Sequence, residues 1–93
     1  MSLSTKQKQE LKAKAHNLKP VVCISYNGLT ENVKKELDSA LDTHELIKIR
    51  IRNPEREIRQ ELFIEACEAT HAEAIKLIGS IGIIYRQKDA LKK

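Results

Sequence analysis

A chain of 93 residues fits one domain with a small core, and 41 % hydrophobic against 32 % charged residues is the balance of a folded domain, not of a disordered tail. With 17 Lys and Arg against 13 Asp and Glu, the net charge of +4 favours an anionic partner such as nucleic acid. Tyr26, Phe63 and Tyr85 are the whole aromatic complement, too few for base stacking to be the main mode of binding.

In chain order, Ser4 to about Asn17 reads as the first helix. Ser4 with Gln7 three residues on is a capping-box pattern, and Leu11, Ala15 and Leu18 form a narrow apolar stripe. Pro20 ends that helix, and Val21 to Ile24 follows as a short buried strand. Ser25-Tyr26-Asn27-Gly28 then turns the chain into a second helix. Thr30 is its expected N-cap, and Val33, Leu37, Ala40 and Leu41 form its apolar face. Leu46 to Arg52 is the clearest strand, because Ile47, Ile49 and Ile51 alternate strictly with Lys48, Arg50 and Arg52.

Asn53-Pro54 reads as the opening of a third helix, an N-cap followed by proline at the first helical position. Its apolar face is Ile58, Leu62, Ala66 and Ala69, flanked by Phe63 and Cys67; its polar face is Glu57, Glu61, Glu65 and Glu68. Ala72 to Ile78 and Ile81 to Arg86 form two more strands, joined by a turn at Gly79-Ser80, and 87–93 reads as a frayed basic tail. The order α-β-α-β-α-β-β predicts a single α/β domain over 1–93. It is a two-layer fold with a four-stranded mixed sheet, its first two strands parallel across a helical crossover and its last two a hairpin.

The cations are unevenly placed. Lys8, Lys12 and Lys19 are expected along one flank of the first helix, Lys48, Arg50 and Arg52 on one face of the second strand, and Arg86 with Lys88, Lys92 and Lys93 at the far end. Three like charges about 7 Å apart on one strand face repel one another, so acids, solvent or a phosphate backbone must offset them. Helix 3 carries the opposing negative charge.

No enzyme is expected. His16, His44 and His71 lie near element ends with no defensible triad order, and the glutamate pairs Glu57/Glu61 and Glu61/Glu65 read as a solvated helix face. Cys23 and Cys67 stand far apart without metal-ligand spacing. Two buried free thiols in a reducing compartment are therefore expected, and neither metal nor cofactor is called for. The polar, lysine-rich N-terminus and the shortness of every apolar run make a cytoplasmic protein without a membrane partner the expectation.

Two glycine motifs compete for a binding role. Gly79-Ser80-Ile81-Gly82 has GxxG spacing but runs straight into a strand, so a hairpin turn is the better reading. The Ser25–Gly28 loop follows a strand and precedes a helix whose outward amides attract phosphate. Lys34 lies a turn further on, and Tyr26 is placed to stack on a base or bond a phosphate.

LSTKQKQELKAKAH at 3–16, LKPVV at 18–22, NGLTENV at 27–33, HELIKIRI at 44–51 and LIG with IIYR in 77–86 resemble the bacterial YhbY-type, stand-alone CRM domain (chloroplast RNA splicing and ribosome maturation). That resemblance implies an RNA-binding domain with a fold similar to the C-terminal domain of bacterial translation initiation factor 3. It implies ribosomal RNA or a precursor of the large ribosomal subunit as partner, with no small-molecule substrate. The family's GxxG loop maps onto Ser25, Tyr26, Asn27 and Gly28.

Three positions depart from the family pattern. Ser25 replaces the first glycine, at a cost on the order of 1 kcal/mol if φ is positive there and little if the backbone is extended. His71 stands where glycine commonly ends the third helix, and Gly82 where a bulkier residue is usual, leaving a possible gap. The function expected is non-catalytic RNA binding in large-subunit assembly, mainly through phosphate and shape. The alternative is a protein–protein adaptor docking its basic face on an acidic ribosomal or assembly protein.

Overall fold

The computed structural model describes residues 3–87, so the basic tail expected over 87–93 falls, beyond Gln87, outside the described residues. The elements are α1 (Thr5–Ala15), β1 (Pro20–Ile24), α2 (Glu31–His44), β2 (Leu46–Ile51), α3 (Arg56–Thr70), β3 (Glu73–Ile78) and β4 (Ile81–Tyr85). The four strands form one mixed sheet in the order β1-β2-β4-β3. β1 and β2 are parallel, and β4 runs antiparallel to both β2 and β3.

Alternation along β2 divides the molecule. Ile47, Ile49 and Ile51 are buried, and with Val22, Ile24 and Ile84 they pack against Leu37 and Leu41 of α2 and Phe63, Ala66 and Cys67 of α3. Lys48 and Arg50 therefore point to the other face. There α1 crosses β2, β4 and β3, and Ala15 and Ile83 are buried.

The helix ends follow local chemistry. Ser4 and Gln7 form the reciprocal capping box, and the Thr30 hydroxyl accepts from the Val33 amide at 3.2 Å. α3 starts at Arg56, two residues later than the sequence pattern predicts. The Asn53 Oδ1 accepts from the Glu55 amide at 2.9 Å, so Asn53-Pro54 forms a side-chain-closed turn ahead of the helix. At the other end His71 is left-handed (φ 58°, ψ 35°). The Ala72 amide bonds Cys67 O and the His71 amide bonds Glu68 O, the paired bonds of a Schellman motif that glycine would enter without strain.

Gly82 leaves no gap. A Cβ built there would lie 2.7 Å from the Phe63 ring, so the ring of α3 occupies the room that the missing side chain provides. Cys23 also differs from expectation: it is exposed on the edge strand, and only Cys67 is buried.

Candidate nucleic-acid interface

Because β1 and β2 are parallel, their C-terminal ends lie together, and the residues that follow each strand meet there. The Ser25 carbonyl accepts from the Gly28 amide at 2.9 Å, closing a four-residue turn with glycine in fourth place. Gly28 has φ +77°, a conformation that glycine adopts without steric cost, and the nearest side chain to a Cβ placed there is Leu62 at 3.7 Å. Its part is to shape and seat the turn. Ser25 is not left-handed: Glu45 and His71 are the positive-φ residues other than glycine among those described. Serine therefore carries no backbone penalty at this position and adds an exposed hydroxyl.

Beside this turn lies an open cleft of about 410 Å³ lined by Ser25, Tyr26, Arg50, Arg52, Asn53 and Ser80, with Pro54 and Ile51. Among the described residues no carboxylate lines it. Arg50 and Arg52 are exposed, and neither guanidinium makes a hydrogen bond or ion pair among the described residues. Tyr26 is 75 % exposed. Asn27 is exposed on the turn but does not line the cleft.

The remaining expected cations divide. Lys48 is half-buried beneath α1, and its Nζ donates to the His16 carbonyl at 3.4 Å, a cation at a helix C-terminus. That contact relieves the repulsion expected along β2, because one of the three charges is spent on α1. Lys12 lines a larger groove of about 770 Å³ between α1 and the sheet, floored by Ile78, Ile81 and Ile83. Lys8 is half-buried one turn earlier on α1. Lys19 lies past the end of α1 and lines a separate depression with Lys14 and His44, so the single flank expected for Lys8, Lys12 and Lys19 is divided.

Lys34 pairs with Glu31 at 3.7 Å and borders a shallow depression with Glu65 and Glu68, among acids and away from the cleft. Arg86 does not join the cationic surface at all. It is 8 % exposed: Nη1 donates to Asp38 Oδ1 and to the Thr70 carbonyl, each at 2.8 Å, and Nη2 to Asp42 Oδ1 at 3.0 Å and the Asp38 carbonyl at 3.1 Å. Arg86 clamps α2 to the end of α3. The amides at the start of α2 are partly satisfied by Thr30, and no α2 residue lines the cleft.

Asn53, Pro54 and Ser80 are cleft residues that sequence reasoning treated only as a helix cap and a hairpin turn. The signal for the first two was present: they directly follow Arg52 on the strand parallel to β1. Ser80 is brought in by the insertion of β4 beside β2, where the Ile51 amide bonds the Ser80 carbonyl at 2.7 Å. Arg59 fixes this arrangement, donating to the Gly79 carbonyl at 3.1 Å and the Asn53 carbonyl at 2.8 Å. Among the described residues no group of three or more His, Cys, Asp or Glu is placed to hold a metal ion, and no helix is long and apolar enough to cross a membrane.

A four-stranded mixed sheet with α2 and α3 on one face and α1 on the other, and a cationic cleft without a described carboxylate where its parallel strands end, defines a small α/β binding domain. The chain belongs to the CRS1 / YhbY (CRM) domain family, which matches residues 3–86. It is 44 % identical over 91 residues to a Haemophilus influenzae protein named RNA-binding protein, covering 98 % of this chain and 92 % of the relative. A Pseudomonas aeruginosa relative is 40 % identical over 87 residues, covering 94 % and 84 %. The solution structure of a Staphylococcus aureus protein superposes with a TM-score of 0.83 at 37 % identity, over 92 % of this chain and 90 % of that one.

Proposed function

We propose that this protein binds RNA through the surface formed by the Ser25–Gly28 turn and the end of β2, and that its RNA is ribosomal, within precursors of the large subunit. The observation that carries the first part is the pair of guanidinium groups, Arg50 and Arg52, which among the described residues have no partner and share their cleft with no carboxylate. Guanidinium forks match phosphate oxygens bidentately, and an acid nearby would compete for them. The name of the Haemophilus influenzae relative supports RNA as the polyanion, and the family resemblance supports the ribosomal assignment and a cytoplasmic site of action.

Crosslinking the protein in cell extract and sequencing the attached RNA tests the ribosomal part. A footprint confined to large-subunit RNA is expected; a footprint scattered over unrelated transcripts would reduce the protein to a general RNA binder.

One observation favours the adaptor reading as the second. The groove beneath α1 has an apolar floor, with Ile78 53 % exposed, and Lys12 and Lys48 at its rim. Apolar floors suit protein side chains better than a phosphate backbone. Binding to precursor particles that survives RNase treatment would favour that reading.

A further inference from the structure

The cleft beside the turn is built from three separated segments: Ser25 with Tyr26, the run from Arg50 to Pro54, and Ser80. At about 410 Å³ it falls in the range of small-ligand sites, about 300–1,000 Å³. Its chemistry is divided in three. Arg50 and Arg52 supply positive charge without a protein partner among the described residues.

The Ser25 and Ser80 hydroxyls and the Asn53 amide nitrogen supply hydrogen bonds, and none of the three is engaged by a described residue. The Asn53 Oδ1 is held by the Glu55 amide, which leaves its NH₂ group to donate outward. Tyr26 and Pro54 supply flat apolar surface, and the Tyr26 ring is three-quarters exposed.

The walls are also braced. The Ile24 carbonyl accepts from the Arg52 amide at 2.8 Å, and Arg59 ties the Asn53 wall to the hairpin tip. A braced site loses little freedom on binding.

Phosphate charge, sugar hydroxyls and a base face are the three parts of a nucleotide, and a base held in a duplex stack cannot present its face to a ring. We propose, resting on the RNA-binding reading above, that this cleft takes one unpaired nucleotide. The protein then selects RNA with a bulge or loop over an uninterrupted duplex. Arg50 and Arg52 hold the flanking phosphates, Tyr26 stacks on the base, and the hydroxyl and amide groups bond the sugar and base edges.

Two RNA hairpins, identical except for a single bulged 2-aminopurine in one, provide the test by fluorescence anisotropy and 2-aminopurine emission. The bulged hairpin is expected to bind about tenfold tighter, with a change in emission on binding. Tyr26→Ala should bring the ratio of the two affinities close to one, while Tyr26→Phe keeps it. Tyr26 is exposed, and a thermal melt of each variant confirms its fold. Equal affinities with no emission change, under conditions where Arg50→Gln still weakens binding, would overturn the nucleotide site and leave RNA binding standing. Failure of both hairpins to bind at low salt would overturn both.

Discussion

Arg50 and Arg52 stand two residues apart at the end of β2, and each is exposed without a described partner, whereas Lys48 two residues earlier is held by the end of α1. The strand pattern made all three visible as a group, but not the division among them. That division depends on where α1 lies, which no spacing in the sequence states. Replacing Arg50 and Arg52 by Gln should weaken RNA binding and lower the slope of log affinity against log salt by about one to two, read by anisotropy between about 50 and 200 mM salt. An unchanged slope would mean that phosphates lie elsewhere.

Cys67 offers a residue-scale test of the core. Burial first, then the nearby Glu73 and Glu68, push its thiol up to about 11. The folded value lies above the unfolded one, so this contribution to stability is whole below about pH 9 and is lost as pH rises through about 11. Denaturant midpoints should fall across that window, and Cys67→Ala should fall less.

At the level of elements, α3 meets β4 where the Phe63 ring lies against Gly82. Gly82→Ala places a methyl group within 2.8 Å of two ring carbons and should cost about 1–3 kcal/mol. Adding Phe63→Leu should recover part of that loss, so the double variant is more stable than the sum of the single changes by at least about 0.5 kcal/mol in urea denaturation. Strict additivity would show that the ring and the glycine do not share the space.

The sequence could reveal the glycine but not its partner, which lies 19 positions earlier on another element. The strands, the helices and the parallel β1–β2 pair were legible, because alternation, caps and the helical crossover are local signals. The placement of β4 between β2 and β3 was not, and with it went the contribution of Ser80 to the cleft. Arg86 was misplaced for a related reason. A basic residue at a strand end looks solvated until Asp38 and Asp42, more than forty positions earlier, are folded against it.

At the scale of the molecule, the sheet separates charge. α1 with its lysines lies on the side to which Lys48 and Arg50 point, while Glu57, Glu61, Glu65 and Glu68 are exposed on α3 across the sheet. A net charge of +4 therefore understates the field that an approaching polyanion meets, which attracts at one face and repels at the other.

The proposed RNA contact lies on the cationic side, at the ends of β1 and β2. Following backbone amide shifts of the ¹⁵N-labelled protein during titration with a large-subunit RNA fragment tests that claim most directly. Perturbations should concentrate at 25–28, 50–54 and 79–80 and leave the outer face of α3 unmoved; the largest shifts on α3, or on the groove beneath α1 alone, would contradict it.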